Sequence, residues 1–551
     1  MFGNFTGFAP LSTTSDGKPR TIPPTTPLTF PSSTPQSPEY ISPGDIPLVT
    51  FLQTIHRPAD IKPSHFEALG IHIIPNVSPQ DFLPDPSFLP SDEEWTNISE
   101  EDLEDATTAS RRPLSNGNKG PGIKTYLERR RELSIDNTVA FRTVRRIPQP
   151  IGIAAARLGN SYEFYRNLEV FSTYWVDTSL PKETASSSGA TKNVSENKSE
   201  GELKEKADDT VPLHQQTHIR TGTGSQLPHE YRQGLATAFI KLIAYDFGCN
   251  VSFPRVEPRL HIYPHAPQSS SAPSQFSAMG TAMLYRTPTD RNSARVGFQE
   301  GPLAALSCRS TTSFSTPLDS NLDLAREIIT ILLTAQQRNR EGKEEKPFGE
   351  GKWWTTVPRW GGGKGGSIGK EIEVTTSNSS STGLFSTETE KKPLLTDIKS
   401  KMGGIDPLFF SSQPSITYER RPPQKKPRTA RLGGQSQLYE NYRKMMPPAS
   451  TWDRKARYMA IGKPEGVQGE WDEIFLVSCL NHHVSFLRGR IGKGILGVLG
   501  GETDGKEELK RTVIWRTKWY DLFQTGDRVE AMGVVWGMVA WVMREVDEGG
   551  G

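Results

Sequence analysis

Sulfur is scarce in this chain: three cysteines in 551 residues. Cys249, Cys308 and Cys479 stand far apart, are odd in number and fall in no CxxC spacing, which argues against a disulfide framework and a zinc ribbon and fits a reducing compartment. Charge of one sign is lacking too. Lys and Arg number 65 against 63 Asp and Glu, for a net charge of +2, so no global field drives nonspecific binding to nucleic acid or an anionic membrane, and such binding would need a local patch. Long apolar runs are missing as well. The longest, Val529 to Met543, contains Glu530 and falls short of the roughly 20 residues of a membrane span. The N-terminus has no basic stretch followed by an apolar one, so no secretory signal is expected, and its many prolines do not make the basic amphipathic helix of mitochondrial import. The sequons at Asn97 and Asn193 then carry no glycosylation.

What the chain has in quantity is 49 Gly, 43 Pro and long Ser/Thr tracts, with only 34% hydrophobic residues. Proline donates no ladder hydrogen bond and glycine costs extra entropy to order, so such tracts gain too little burial to fold. The sequence therefore reads as α+β: a composite domain with a mixed or antiparallel sheet covered by helices and interrupted by long disordered insertions. Residues 1–45 form a disordered Pro/Ser/Thr-rich tail, 46–180 an N-terminal α+β block and 181–215 a disordered linker. Residues 216–374 are the first part of the core, 375–432 a disordered basic and Ser-rich insertion, and 433–548 the second part of the core.

Within these blocks, IKTYLERRREL reads as a helix, whereas AFRTVRRI and LEVFSTYWV are rich enough in β-branched and aromatic residues for strands. PHEYRQGLATAFIKLIAYDFG reads as a helix with Tyr231, Leu235, Leu242 and Tyr245 near one face and Gly248 as its stop. PRLHIYP, TAMLYRTP and PLAALSCRS are short strands. SNLDLAREIITILLTAQQRNR is an amphipathic helix with Leu322, Ala325, Ile329, Leu332 and Gln336 in line and Ser320 as N-cap. In TGDRVEAMGVVWGMVAWVMREVDE, Asp527 and Glu530 suit an N-cap and an N3 residue, and apolar side chains run all the way round. RTVIWRTKWYDLF reads as the strand before that helix, and the two strand-then-helix units, around 303–340 and 512–546, cannot bury their surface alone, so they are expected to share one sheet and one core.

The stretch FLVSCLNHHVSFLRGRI gathers a serine, a cysteine and two histidines. With Asn481 and His482 as a two-residue turn, Cys479 lies opposite Val484 and Val477 opposite Phe486, giving one apolar face. Cys479 then points away from His483, which excludes a nucleophile–base pair. Consecutive His482 and His483 are expected to diverge, making them poor joint ligands of one ion. Gly492, Gly494 and Gly497 match GxGxxG, yet VLGGETDG follows rather than a long helix to hold a pyrophosphate. WGGGKGGSIGK lacks the hydroxyl residue of a P-loop. His214 and His218 have i, i+4 spacing without the glutamate of a zinc protease motif.

Lys352, Trp353, Trp354, Arg359 and Trp360, ahead of a glycine run, could stack bases or hold a polyanion. The cluster Arg420, Arg421, Lys425, Lys426, Arg428 and Arg431, in a Pro-rich insertion, suits an importin-read peptide.

The function expected is that of an intracellular, nuclear or cytoplasmic, non-catalytic scaffold or macromolecular binding protein. Its partner is macromolecular, protein before nucleic acid, with no membrane, cofactor or metal, and homo-oligomers are compatible with the sequence. A first alternative is a metal-dependent nuclease-like or other hydrolytic enzyme, which needs acidic residues to converge, Glu300, Glu350, Asp521 and Asp527 foremost. A second is a nucleic-acid-binding protein, which needs Lys352, Arg359, Arg516 and Lys518 on one face with exposed tryptophans.

Overall fold

The computed structural model describes residues 23–32, 46–180, 220–253, 258–263, 265, 274–278, 280–296, 298–339, 457–463, 470–502 and 511–546, all within the compact unit Met1–Glu373 with Ser450–Gly551. The strands are β1 (Ile71–Val77), β2 (Cys249–Ser252), β3 (Arg259–Ile262), β4 (Ser274–Ser277), β5 (Thr281–Arg286), β6 (Phe298–Arg309), β7 (Arg457–Met459), β8 (Trp471–Leu480), β9 (His483–Gly492), β10 (Thr512–Thr517) and β11 (Tyr520–Asp521). Nine of them form one mixed sheet, ordered β1-β10-β9-β8-β6-β5-β2, with β11 beside β9 and β7 beside β6, while β3 and β4 form a separate ribbon. β1 pairs parallel to β10, so the block before residue 180 contributes an edge strand to the sheet.

The principal helices are α1 (Leu48–Leu52), α2 (Pro63–Ala68), α3 (Ile123–Leu133), α4 (Asn137–Arg145), α5 (Tyr162–Ser172), α6 (His229–Ala244), α7 (Pro317–Asn339), α8 (Lys493–Gly500) and α9 (Thr525–Met543). Two of these replace expected strands. In α4, Asn137, Ala140 and Phe141 are buried at i, i+3 and i+4, and Asp136 caps the helix by accepting from the Thr138 amide at 2.8 Å. In α5, Phe164, Tyr165, Leu168 and Phe171 are buried. Burial at a helical period overrides the strand preference of single residues. Helix α6 ends, as expected, toward a left-handed Gly248 with φ 73°, but Tyr231 and Tyr245 are exposed and the buried face runs through Leu235, Phe239, Ile240 and Ile243. Helix α7 starts earlier than expected. Asp319 accepts from the Thr316 amide at 2.9 Å and the Thr316 hydroxyl accepts from the Asp319 amide at 3.3 Å, so Thr316 is the cap and Ser320 lies inside the helix.

The two late helices share one sheet but not one core. Along β8, Phe475, Val477 and Cys479 belong to one apolar cluster with α9, while Ile474 and Leu476 belong to a second with α7. β8 is a near-continuous apolar run, so both of its faces need cover, and one helix lies on each. The expectation of a single apolar face on the hairpin is corrected in the same way. Glycine-rich residues after β9 form α8, a short helix that buries Ile495, Leu496, Val498 and Leu499. Among the described residues no helix is long and apolar enough to cross a membrane.

Candidate metal centre at the hairpin tip

β8 and β9 pair in the register expected: Cys479 opposite Val484, Val477 opposite Phe486, Leu480 opposite His483. Asn481 and His482 make the turn, and Asn481 adopts φ 55°, a left-handed conformation that asparagine tolerates better than most residues. Turn tips ordinarily face water. Here Asn481 and His482 are each 3% exposed. Arg232 on α6 donates to Asn481 Oδ1 at 2.9 Å, Asn481 Nδ2 donates to the Thr311 carbonyl at 3.0 Å, and the Leu522 amide donates to the His482 carbonyl at 3.0 Å. The His482 ring sits against Trp175 and Phe523, both with centroids 5.0 Å away.

β11 returns to β9 with Asp521 opposite His483. Its carboxylate reaches both histidines: Oδ1 lies 3.9 Å from His482 Nε2 and Oδ2 lies 3.7 Å from His483 Nε2. The two imidazoles do not diverge. Their centroids are 4.3 Å apart, because His482 occupies the turn and escapes the up-down alternation that a strand would impose. One ligand atom from each of His482, His483 and Asp521 lies within 4.8 Å of the others, and this is the only such trio among the described residues. The Nδ1 atoms of both histidines are buried without a hydrogen-bond partner, an arrangement that costs free energy unless something else engages the rings.

Burial pushes the His482 imidazole well below its ordinary range and His483 below it too, although Asp521 and Asp527 pull His483 the other way. Both rings are thus neutral at neutral pH, the form that ligates metal. Burial raises the Asp521 carboxyl, opposed by His483 and by the hydrogen bond from Thr178. Around Asp521, the Thr178 hydroxyl donates to Oδ2 at 2.5 Å and the Phe523 amide to Oδ1 at 2.9 Å. The Asp521 amide donates to Asp527 Oδ2 at 2.9 Å. Thr178 is placed by the buried network beside it: Asn137 Nδ2 donates to Asp177 at 3.0 Å, and Arg528 donates to the carbonyls of Leu133 and Ile135. Hydrogen-bonded partners of this kind orient a ligating carboxylate. An ion in a tetrahedral site, at about 2.1 Å from each ligand, would need ligand atoms about 3.4 Å apart, so this trio would have to close slightly to hold one.

The other acids and bases singled out in the sequence do not join this site. Glu300 pairs with buried Arg286 and lies nine residues before Arg309, the β6 residue beside Leu480, so roughly 30 Å of strand separates it from the tip. Asp527 does adjoin Asp521, as residue N3 of α9 rather than its cap. Arg516 is held by Glu327 at 3.1 Å and Lys518 by Glu530 at 2.7 Å, which commits both cations to carboxylates. Lys352, Trp353, Trp354, Arg359, Trp360, Glu350, His214, His218 and the basic cluster Arg420 to Arg431 lie outside the described residues. Cys479 shares the apolar core, and its thiol is pushed well up by Cys308 and by burial, which fits filling rather than nucleophilic chemistry. Compared with known protein families, curated proteins and solved structures, the chain matches none.

Proposed function

We propose that this chain is a metal-binding protein that holds one divalent transition-metal ion on His482, His483 and Asp521, and that hydrolysis by metal-bound water is its chemistry. The observation that carries this reading is the convergence of three ligand atoms within 4.8 Å, where the Nε2 atoms of His482 and His483 face the Asp521 carboxylate at 3.9 and 3.7 Å. Two neutral imidazoles and a carboxylate suit zinc and its neighbours, and three protein ligands leave a position for water, whose pKa a bound zinc lowers toward 7. The scaffold reading drawn from Trp353, Trp354 and Trp360 rests on residues outside the described ones and gains no support from this site.

The test uses the full chain, exposed to zinc, dialysed and assayed for retained metal by mass spectrometry, with cobalt(II) absorption reporting the ligand set. One ion per chain is expected, together with the visible bands of a four-coordinate nitrogen and oxygen site. His483→Gln and Asp521→Asn should each abolish retention while the far-UV circular dichroism stays unchanged. A wild-type chain that retains no more metal than these two variants overturns the proposal.

A further inference from the structure

Residues 23–32, PPTTPLTFPS, fall in the segment expected to be a disordered tail, yet they are placed against the hairpin tip. No residue of this strap is buried. Leu28 packs half-buried against the apolar cluster of α9, and hydrogen bonds and ring contacts hold the strap at separate points besides. The Thr26 hydroxyl accepts from the Gly224 amide at 2.8 Å, the Thr29 amide donates to the Thr312 carbonyl at 3.1 Å, and the Thr29 hydroxyl accepts from the Phe314 amide at 2.9 Å. Phe30 stacks on Trp519, with centroids 5.2 Å apart and planes 22° apart, and meets the His483 ring edge-on at 5.0 Å.

The surface beneath the strap is anchored by the fold itself. The Arg516 guanidinium lies 4.7 Å from the Trp519 centroid and is itself fixed by buried Glu327. Arg232 donates both to the Gly224 carbonyl and to Asn481, tying the Gly224 end of the surface to the hairpin tip. Gly224 admits no side chain, because a Cβ there would stand 2.4 Å from Trp175, the same ring that faces His482. An aromatic ledge beside backbone donors and acceptors that the fold leaves to the peptide is how extended proline-rich peptides are recognised, since prolines restrict the free peptide and lessen the entropy lost on docking.

We infer that Trp519, His483, Gly224 and the 312–314 backbone form a docking groove for an extended proline-rich peptide carrying threonine and phenylalanine in the order Thr-Pro-Leu-Thr-Phe-Pro. Its occupant is the chain's own residues 26–31, bound in cis. Because Phe30 lies on His483, occupancy also covers the metal centre, and this second half rests on the metal reading above. Tethering supplies the strap at an effective concentration on the order of millimolar, so a peptide in trans gains the groove only when the strap is weakened.

The experiment compares the full wild-type chain with a full-length Thr29→Pro, Phe30→Ala variant, which loses the Thr29 amide donor and the ring. Both changes sit on unburied residues, and circular dichroism checks the fold. A fluorescein-labelled peptide of residues 23–32 should bind the variant in an anisotropy titration and bind wild type at least tenfold more weakly, and the same peptide with alanine for phenylalanine should bind neither. Equal binding to both chains, or none to either, overturns the groove, and a wild-type dimer in light scattering that the variant lacks overturns occupancy in cis. In zinc-loaded protein, extraction by EDTA should run several-fold faster in the variant and slow again on adding the peptide. If wild type retains no zinc, the metal reading falls while the peptide result stands. If zinc is retained and extracted equally fast from both, the covering role alone falls.

Discussion

Arg232 and Asn481, 249 positions apart in sequence, meet through a 2.9 Å hydrogen bond from the guanidinium to the side-chain carbonyl. That contact clamps a β-turn under a helix. Asn481→Ala removes one acceptor of buried Arg232, which keeps the Leu227 and Gly224 carbonyls, releases the Thr311 carbonyl and forces alanine into a left-handed conformation. The expected loss is about 2–4 kcal/mol, since a hydrogen bond to a buried charged group contributes about 1.5–3 kcal/mol and the left-handed region adds roughly 1 kcal/mol for alanine. Asn481→Gly should lose about 1 kcal/mol less, because glycine adopts that conformation freely. Urea denaturation of the two variants decides the matter, and a glycine variant no more stable than the alanine one would show that backbone strain contributes nothing.

Zinc should stabilise the folded chain by mass action, because the trio is assembled only there. At one hundred times the dissociation constant the gain is about 2.7 kcal/mol, read as a rise in melting temperature that saturates with metal. Asp521→Asn should show no such rise. It should melt close to the metal-free wild type, because the asparagine oxygen can keep the Phe523 amide while its NH2 group donates to the Thr178 hydroxyl, which can accept in turn. A metal-dependent rise that survives in Asp521→Asn would place the ion elsewhere.

The hairpin was legible from residues 475–491 because alternation, a turn pair and a positive-φ asparagine all lie within one short window. Helices α3 and α7 were legible for the same reason: their signals are local and periodic. The site was not legible. Asp521 reaches His483 only because β11 folds back on β9, and nothing in the sequence marks a two-residue strand as the partner of a strand nearly forty positions earlier. The alternation rule also misled at His482, which lies in the turn and not on a strand. Thr178 and Asn137 had no signal at all: they lie just outside 168–176 and 140–147, which read as strands by composition and became largely helical through tertiary burial. The two-sided core hid in plain view: both odd and even positions of β8 are apolar, which is the mark of a strand covered on both faces.

Glu327 on α7 is fully buried between Arg309 and Arg516 at 3.0 and 3.1 Å and accepts from the Ser478 hydroxyl at 2.6 Å. Asp323 pairs with Arg309 at 2.6 Å, so two cations and two acids balance inside the fold. Burial works against the Glu327 carboxylate, and the two arginines more than offset it, holding its pKa down. Glu327→Gln leaves the arginines short of one counter-charge and should cost about 3–5 kcal/mol, as breaking a buried pair generally does. Lys124→Gln, which removes an exposed partner of Glu104, should cost at most about 1 kcal/mol. Comparable chemical-denaturation midpoints for the two variants would contradict the assignment of the Glu327 cluster as structural.

His65 on α2 gives a pH dependence of definite sign. Burial lowers its pKa below 6.5, and the amide of Lys62 donates to the unprotonated Nδ1 at 3.0 Å, which favours the same neutral ring. Between the lowered folded value and the unfolded value near 6.5, the unfolded chain binds the proton more readily, so stability rises with pH across that window. The contribution is whole above about 6.5 and is lost as the solution is acidified, at a slope of at most about 1.4 kcal/mol per pH unit for one group. Other buried imidazoles add to the wild-type slope, so the informative quantity is a difference. His65→Gln, which keeps an acceptor for Lys62 but has no proton to gain, should lose less stability than wild type between pH 7.5 and 5.5 in urea titrations. Parallel losses would mean that His65 is free to charge in the folded chain, which its place against Phe51, with ring centroids 4.6 Å apart, and its burial at the rim of an apolar cluster argue against.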